Sequence, residues 1–277
     1  MVMRFLLLCL CLASLASSAQ TSGCRSTPAP DTASQTATKA ASADSGEIKA
    51  KELVSKMVQA LGGDAYLHYT DVEQDGRTNS FYHGQPTGGT APFWRFYKFP
   101  DKERIELTKQ RDWIVIHNGD RGTETTFHGT KPEDDDIHRD FQLRDQYSME
   151  KVLRTWLDAP GTTFFYGGAG FTDNHQVETV TIANAKNQQA TFSIDSFKYL
   201  PIRKSFTVRD PTYKEKDTYS DIYSEYRLVQ GIQTPFVITR MKNDEMVSQR
   251  FLTKVVYNQG LSDNLFVPPT AFEAKKK

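Results

Sequence analysis

The stretch Tyr219-Ser-Asp-Ile-Tyr-Ser-Glu-Tyr-Arg-Leu-Val-Gln-Gly-Ile-Gln-Thr-Pro-Phe-Val-Ile-Thr239 holds two runs of aromatic and β-branched residues, separated by Gln230-Gly231. Runs of this composition are typical of β-strands, and a short glycine-containing turn between them predicts a β-hairpin. Pro235 indicates a sheet edge, a bulge or a strand start, because proline has no N–H to donate to a ladder.

No catalytic pattern occurs in this hairpin. If the hairpin is typical of the chain, the function must lie in the surface that the sheet encloses. We expect Phe236 and Ile238 to point inward as part of a cavity wall. We expect Arg227 and Arg240 to point outward.

Short extended runs with turn residues between them occupy most of the remaining chain. Their spacing of about ten residues is typical of an antiparallel meander in which each strand wets one face. With the hairpin they predict about eleven strands, or at most twelve, against two helices, so the fold class is α+β and mainly β. The runs outside the hairpin are 72–78, 93–99, 103–108, 113–118, 123–128, 162–166, 177–182, 190–195, 202–208 and 249–257.

Two segments have helical periodicity. Residues 47–61 carry an apolar stripe that includes Leu53, Met57 and Leu61, and residues 148–157 predict a second helix. An apolar stripe must cover something. The sequence leaves open whether these helices pack on a filled sheet or cover a cavity.

The N-terminus predicts export. Arg4 precedes an apolar run over 5–15, and small residues follow up to Ala19. This pattern is typical of a signal peptide over 1–19 and is too short to span a membrane. Cys24 follows Thr21-Ser-Gly, which is similar to the end of a bacterial lipoprotein box, so it is the lipidation candidate and the signal would then extend to residue 23.

The segment 24–46 is rich in Ser, Thr, Ala, Pro and Gln, and predicts a disordered tether. Order is expected over 47–272, as one domain, followed by a basic tail over 273–277. Cys9 and Cys11 lie within the predicted signal, so no disulfide within the mature chain is expected.

The charge balance argues against nucleic-acid binding. Lys plus Arg and Asp plus Glu both number 34, so no net field draws the chain to a polyanion. Membrane association is expected only through the lipid anchor. The chain is expected to be a monomer in the periplasm, or an outer-membrane lipoprotein that faces the periplasm.

No constellation for catalysis or cofactor binding stands out. The segment 134–138 offers carboxylates beside His138, but it lacks the spacing of a calcium loop, and zinc needs further ligands that no pattern supplies. No nucleophile elbow or phosphate loop occurs. We therefore predict no catalytic residue, no metal site, no cofactor and no enzymatic activity.

Strands with alternating apolar residues make up most of the chain. A wide curved sheet built from such strands leaves room in its interior for a ligand. An acyl chain gains roughly 0.8 kcal/mol per buried methylene. An ordinary packed core is the open alternative. The residues that we predict to line a ligand cavity are Leu53, Met57, Leu61, Ile105, Leu107, Val180, Ile182, Phe192, Ile194, Ile202, Phe206, Phe236, Ile238, Phe251 and Val255.

A series of loose motifs, in this order and at this spacing, resembles the outer-membrane lipoprotein carrier superfamily with its LolA/LolB-type fold. The resemblance covers residues 47–270. The motifs are Ala60-Leu-Gly-Gly63, Pro100-Asp-Lys-x-Arg104-x-Glu106, Ile116-x-Asn118-Gly119-Asp120, Leu200-Pro201, Tyr223-x-x-Tyr226-Arg-x-Val-x-Gly231-Ile-x-x-Pro235-Phe and Tyr257-Asn-x-x-Leu-x-x-x-Leu-Phe-x-x-Pro269.

The resemblance implies an unclosed antiparallel β-barrel of about eleven strands, with helices that cover or plug a hydrophobic cavity for acyl chains. It transfers no functional residue, and the acidic segment 132–140 departs from the pattern. The function that follows is a non-enzymatic envelope protein that binds lipid or lipoprotein acyl chains, with transport of lipid or lipoprotein as its use. The alternatives are a periplasmic sensor or scaffold that binds an envelope protein, and a metal-dependent hydrolase built on 134–138.

Overall fold

One antiparallel sheet of fourteen strands dominates the residues that the computed structural model describes, which are 32–209 and 214–269, with side chains from Ser45 onward. The predicted signal peptide, Cys24 and the tail 273–277 lie outside these residues. The strands are β1 (Asp71–Tyr82), β2 (Gln85–Pro86), β3 (Ala91–Lys98), β4 (Lys102–Leu107), β5 (Trp113–Asn118), β6 (Arg121–Thr126), β7 (Gly129–Pro132), β8 (Thr163–Thr172), β9 (His175–Ala183), β10 (Gln189–Asp195), β11 (Pro201–Arg209), β12 (Lys216–Val229), β13 (Ile232–Lys242) and β14 (Glu245–Tyr257).

The strand order is β7-β6-β5-β4-β3-β1-β14-β13-β12-β11-β10-β9-β8, with β2 paired to β1 off this path. Within the described residues the terminal strands β7 and β8 do not pair with each other, so the sheet is unclosed. This confirms the predicted fold class. The two strands that the sequence did not predict, β2 and β7, are only two and four residues long.

The described helices are α1 (Thr32–Leu61), α2 (Asp64–His68), α3 (Asp135–Gln146) and α4 (Met149–Lys151). A π-helical turn over Val152–Trp156 continues α4, and a 3-10 turn spans Asp263–Phe266. The chain divides into two units, residues 1–40 and 41–277, and the whole sheet belongs to the second.

Helix α1 confirms the predicted helix over 47–61 but begins earlier, at Thr32, inside the segment predicted as a tether. Alanine is frequent in this segment and has the highest helix propensity, which the prediction from low hydrophobicity did not weigh. The domain boundaries stay a prediction. At the other end, Gly62 and Gly63 both have positive φ and terminate the helix.

Helix α3 covers residues 135–140 of the acidic segment, where no helix was predicted. Its first turn holds Asp135 and Asp136, and carboxylates are favourable at the positive end of a helix dipole. Because this segment is mostly polar, its pattern of apolar residues did not predict a helix. The helix places Arg144 and Asp145 against the sheet.

The predicted cavity residues of α1 pack instead into a core of buried apolar side chains. Leu53, Met57 and Leu61 are buried in the same cluster as Val180 of β9 and Phe192 of β10. The lysines of α1 frame this contact, with Lys49 Nζ 3.9 Å from the centre of the Tyr166 ring on β8. Helix α1 therefore packs against the sheet beside β8–β10. In this part of the sheet the interior is an ordinary packed core, which is the alternative that the sequence left open.

A bulge in β14 reverses the alternation that the sequence predicted for this strand. Asp75 of β1 pairs with Lys254 while Gly76 pairs with Leu252, so Thr253 is the extra residue. Leu252 is buried, and Phe251 is 37% exposed. The prediction that Phe251 lines a cavity is therefore wrong.

Pro235 lies within β13, opposite Tyr226 of β12, and the pairing of β13 with β14 begins only at Val237. Pro235 thus lies where the β13–β14 ladder is interrupted, beside the β14 bulge at Thr253. A bulge is one of the three positions that the sequence predicted for this proline. Gln230 and Gly231 both have positive φ, as a two-residue hairpin turn requires.

Candidate functional site

A cavity of about 440 Å³ lies between the sheet and helices α3 and α4. Strands β1, β3–β5 and β12–β14 supply its floor. The volume is in the range of sites that hold one small ligand, about 300–1,000 Å³.

Nine charged side chains and one histidine line this cavity, which differs from the purely hydrophobic interior that we expected. Four arginines line it, together with five carboxylates and one histidine. They are Arg95, Arg144, Arg240, Arg250, Glu103, Glu133, Asp145, Glu150, Asp221 and His117.

Arg95 and Glu103 form an ion pair on neighbouring strands β3 and β4. The Nε atom of Arg95 lies 2.5 Å from Oε1 of Glu103, and its Nη1 donates to Gln74 at 3.1 Å. Burial alone would raise the pKa of Glu103, but Arg95 and then His117 hold that pKa well below its usual range. Glu103 is therefore a carboxylate that Arg95 already neutralises.

A second charged group joins Lys204, Asp221 and Arg240. Lys204 Nζ lies 2.7 Å from one Asp221 oxygen, and Arg240 Nε lies 3.4 Å from the other. Burial would raise the pKa of Asp221, but Lys204 and Arg240 lower it overall. Arg240 thus faces the cavity, which corrects its predicted outward orientation, whereas Arg227 is exposed.

Arg250 differs from the other arginines because no carboxylate among the described residues lies within ion-pair distance of it. Its guanidinium lies 5.5 Å from the centre of the Phe93 ring. Burial, and then repulsion by Arg240, lowers the pKa of Arg250 to about 9. A cation held in this way favours any anion that enters the cavity.

Apolar side chains complete the lining, and three of them, Ile105, Leu107 and Ile238, are among the predicted cavity residues. They lie on β4 and β13. Helix α3 contributes Ile137 and Phe141. The cavity therefore offers both an arginine cluster and an apolar wall to one ligand.

A smaller cavity of about 210 Å³ shares Arg144, Asp221 and Arg240 with the first one. Phe206, another predicted lining residue, contributes to its wall beside Tyr219, and the two rings stack with centres 5.0 Å apart. The shared charged residues thus lie between the two cavities, and the smaller one adds the aromatic pair Phe206 and Tyr219 to a largely charged lining.

The remaining predicted residues line neither of these cavities. They are buried in the packed interior: Leu53, Met57, Leu61, Val180, Ile182, Phe192, Ile194, Ile202, Phe236 and Val255. Whether any residue of the predicted set contacts a ligand stays a prediction.

The sequence analysis missed the cavity arginines because they alternate with apolar residues, as solvent-facing residues do. The signal that could have found Arg95 is its setting in Phe93-Trp-Arg-Phe-Tyr97, where both faces of the strand carry large rings. One face packs the outer cluster of Phe96 and the buried Phe266, which leaves the face of Arg95 for the interior.

One group of side chains in the described part of the chain could hold a metal ion. It consists of His117, Glu133 and His138, whose candidate ligand atoms lie within 4.8 Å of one another. His117 and Glu133 also line the 440 Å³ cavity.

The sequence matches no family model and no curated protein. Solved structures do match. A DUF1329 family protein from Desulfovibrio piger aligns with 79% of this chain and 97% of its own, at 12% identity and a TM-score of 0.52. A domain assigned to outer membrane lipoprotein sorting, from Vibrio parahaemolyticus, aligns with 80% of this chain and 96% of its own, at 10% identity and a TM-score of 0.50.

A LolA superfamily protein from Nitrosomonas europaea aligns with 79% of this chain at 11% identity and a TM-score of 0.49. The first two likenesses show that this chain has the fold expected from its motifs, a LolA-like unclosed barrel. Within the described residues, no helix has both the length and the hydropathy to cross a bilayer.

Proposed function

We propose that this chain is an envelope protein that binds one anionic amphiphile, a lipid or the acyl part of a lipoprotein, in the 440 Å³ cavity. The observation that carries the proposal is Arg250, a cation at the cavity wall without a carboxylate partner. The fold shared with a lipoprotein-sorting domain supports it. So does the predicted signal peptide.

The headgroup of the ligand carries a phosphate or a carboxylate. Arg250 and Arg240 lie on neighbouring strands β14 and β13, with Ile238 opposite Arg250 in the ladder. An anion between the two guanidiniums relieves the mutual repulsion that contributes to the lowered pKa of Arg250. Charge-assisted contacts of this kind contribute about 1.5–3 kcal/mol each.

The acyl chain lies along the apolar wall. Ile105 and Leu107 of β4, Ile238 of β13 and Phe141 of α3 offer contacts without polar requirements. Each methylene that leaves water contributes about 0.8 kcal/mol. Since the cavity has the volume of a site for one small ligand, a single chain is the expected cargo.

Export and the lipid anchor complete the proposal. The signal over 1–19 directs the chain to the periplasm, and acylation of Cys24 anchors it to the outer membrane. The cavity then picks up or delivers its ligand at the membrane. Transport of lipid or lipoprotein is the use that we propose for the binding.

Native mass spectrometry of the chain purified from a bacterial envelope tests the binding. We expect a co-purifying lipid that organic extraction releases and that carries an anionic headgroup. For a defined probe, palmitate is compared with its uncharged methyl ester. The wild-type chain should bind palmitate more tightly, by at least about tenfold, which corresponds to about 1.4 kcal/mol.

Arg250→Gln should remove the preference for palmitate while the methyl ester binds as before. The exposed Arg77 provides the matched control, because Arg77→Gln changes the net charge equally without touching the cavity. Failure of the wild-type chain to bind either probe, with no lipid in the purified protein, contradicts the proposal. If palmitate and its methyl ester bind equally well, only the proposed role of Arg250 is contradicted, and the binding of a lipid is not.

A further inference from the structure

His117, Glu133 and His138 meet where β5, the end of β7 and helix α3 converge. The Oε2 atom of Glu133 lies 3.0 Å from Nε2 of His117 and 3.1 Å from Nδ1 of His138. His117 is only 3% exposed. The two histidines are 21 positions apart in the sequence, so no local pattern joins them.

Each histidine also faces a second acceptor with its other ring nitrogen. The Nδ1 atom of His117 lies 3.4 Å from Oε2 of Glu103, and Nε2 of His138 lies 2.8 Å from the carbonyl oxygen of Asp120. The ring of His138 therefore stands between two oxygen acceptors, whereas Nδ1 of His117 is buried close to Glu103 without forming a hydrogen bond. Since a neutral imidazole has one N–H, it satisfies only one of the two acceptors beside His138.

A metal ion resolves this mismatch. If the ion takes the lone pairs of His117 Nε2 and His138 Nδ1, the remaining N–H of His138 donates to the carbonyl of Asp120, and that of His117 faces Glu103. Carboxylates and backbone carbonyls are the usual partners of metal-bound histidines, where they fix the tautomer and the ring orientation. Arg95, which pairs with Glu103, and Phe141, stacked 3.4 Å from the His117 ring centre, hold this arrangement in place.

Gly122 leaves space for two of the proposed ligand side chains. Gly122 of β6 is the cross-strand neighbour of His117. A Cβ atom at this position would lie 2.4 Å from His138 Nδ1 and 2.6 Å from Glu133 Oε2. The absence of a side chain at Gly122 therefore leaves room for the ligand atoms of His138 and Glu133.

We propose that His117, Glu133 and His138 bind a divalent transition metal, with zinc as the ion of choice. Two imidazole nitrogens and one carboxylate oxygen are a ligand set that zinc accepts with a fourth position left for another ligand. Ligand atoms about 2.0–2.1 Å from a tetrahedral ion lie about 3.3 Å from each other, close to the two separations from Glu133.

The proposed metal site lies at the wall of the 440 Å³ cavity. His117 and Glu133 line the 440 Å³ cavity, so the fourth ligand of the metal would come from that side. Water or an anionic group in the cavity fits this position. The proposal itself stands on the three side chains and does not require that the cavity bind a lipid.

The test measures zinc directly. The untagged chain is stripped with EDTA, exchanged into chelator-free buffer and titrated with zinc chloride, with bound metal determined by elemental mass spectrometry and stability by thermal melting. We expect one zinc ion per chain and a raised melting temperature. Magnesium and calcium should give neither, because they prefer sites made of oxygen ligands.

Glu133→Gln and His138→Gln should each weaken zinc binding by at least about tenfold. His128→Gln is the matched control, since His128 is exposed and lies outside the cluster. Gly122→Ala keeps all three ligands but crowds them, and should weaken binding as well. Circular dichroism verifies that each variant is folded.

Two results overturn the proposal. One is a wild-type chain that binds no zinc. The other is zinc uptake that persists in folded Glu133→Gln, His138→Gln and Gly122→Ala chains, which would place the ion elsewhere. In either case the cluster is a hydrogen-bonded network that holds no metal.

Discussion

The Nζ atom of Lys204 lies 2.7 Å from Oδ2 of Asp221, with the lysine only 1% exposed. A lysine buried to this degree is rare without a charged partner. Asp221 also faces Arg240 at the cavity wall. The pair therefore connects the interior of the sheet with the proposed ligand site.

Removing the acid from this pair should be costly. Asp221→Asn leaves Lys204 as a buried charge without compensation, and we expect a loss of about 3 kcal/mol in unfolding free energy, measured by urea denaturation. Adding Lys204→Met should recover much of the loss. The control is Glu73→Gln, which breaks an ion pair of the same 2.7 Å length whose lysine is half exposed. It should cost less than about 1 kcal/mol.

The same pair predicts a pH dependence. Burial raises the pKa of Asp221, but Lys204 and Arg240 offset this, so the folded-state pKa lies below the ordinary value of 3.8. The stabilisation is therefore complete above pH 3.8 and is lost as the pH falls through the folded-state pKa. The difference in unfolding free energy between the wild-type chain and Asp221→Asn should shrink in this range. A difference that stays constant down to about pH 2 would argue against this assignment.

Replacing Arg250 should separate stability from binding. The lowered pKa of Arg250 means that its positive charge is less favourable in the folded protein than in the unfolded chain. Arg250→Met should therefore stabilise the ligand-free protein at neutral pH by about 1 kcal/mol or more. Binding of palmitate should fall at the same time. Thermal melting with and without palmitate measures both effects, and Arg77→Met should change neither. A destabilised Arg250→Met chain would contradict this.

Gly62 should be sensitive to substitution because of its neighbour in the β12–β13 turn. Its φ is +131°, and a Cβ atom would lie 2.5 Å from the carbonyl oxygen of Gly231. Gly62→Ala should cost more than about 1 kcal/mol. Gly46→Ala is the control within the same helix, where nothing lies within 4 Å, and it should gain about 0.5–1 kcal/mol.

The alternation of apolar and polar residues predicted twelve of the fourteen described strands, since each has at least five residues of strand composition. It could not predict which face of a strand points to the cavity. Both faces of β3 and β4 are covered, the outer one partly by Phe266 from the far end of the chain. Contacts of such long range have no local signal.

The candidate site was harder to predict for the same reason. Arg95 and Arg250 follow the pattern of solvent-facing strand residues, and only the sheet topology brings both of them to one cavity. The bulge at Thr253 moved Phe251 to the exterior through one added residue. His117 and His138 meet because α3, hidden by its acidic composition, packs beside β5.

The strand order has a consequence for how the chain folds. Strands β3–β7 and β8–β14 are two meanders of local contacts, and only the pairing of β1 with β14 joins them at the centre of the sheet, where Val72 lies opposite Tyr257. Closing this ladder brings together segments from opposite ends of the sequence, which makes folding slow. Until the last strand arrives, β1 and β13 both expose open backbone edges that invite aggregation.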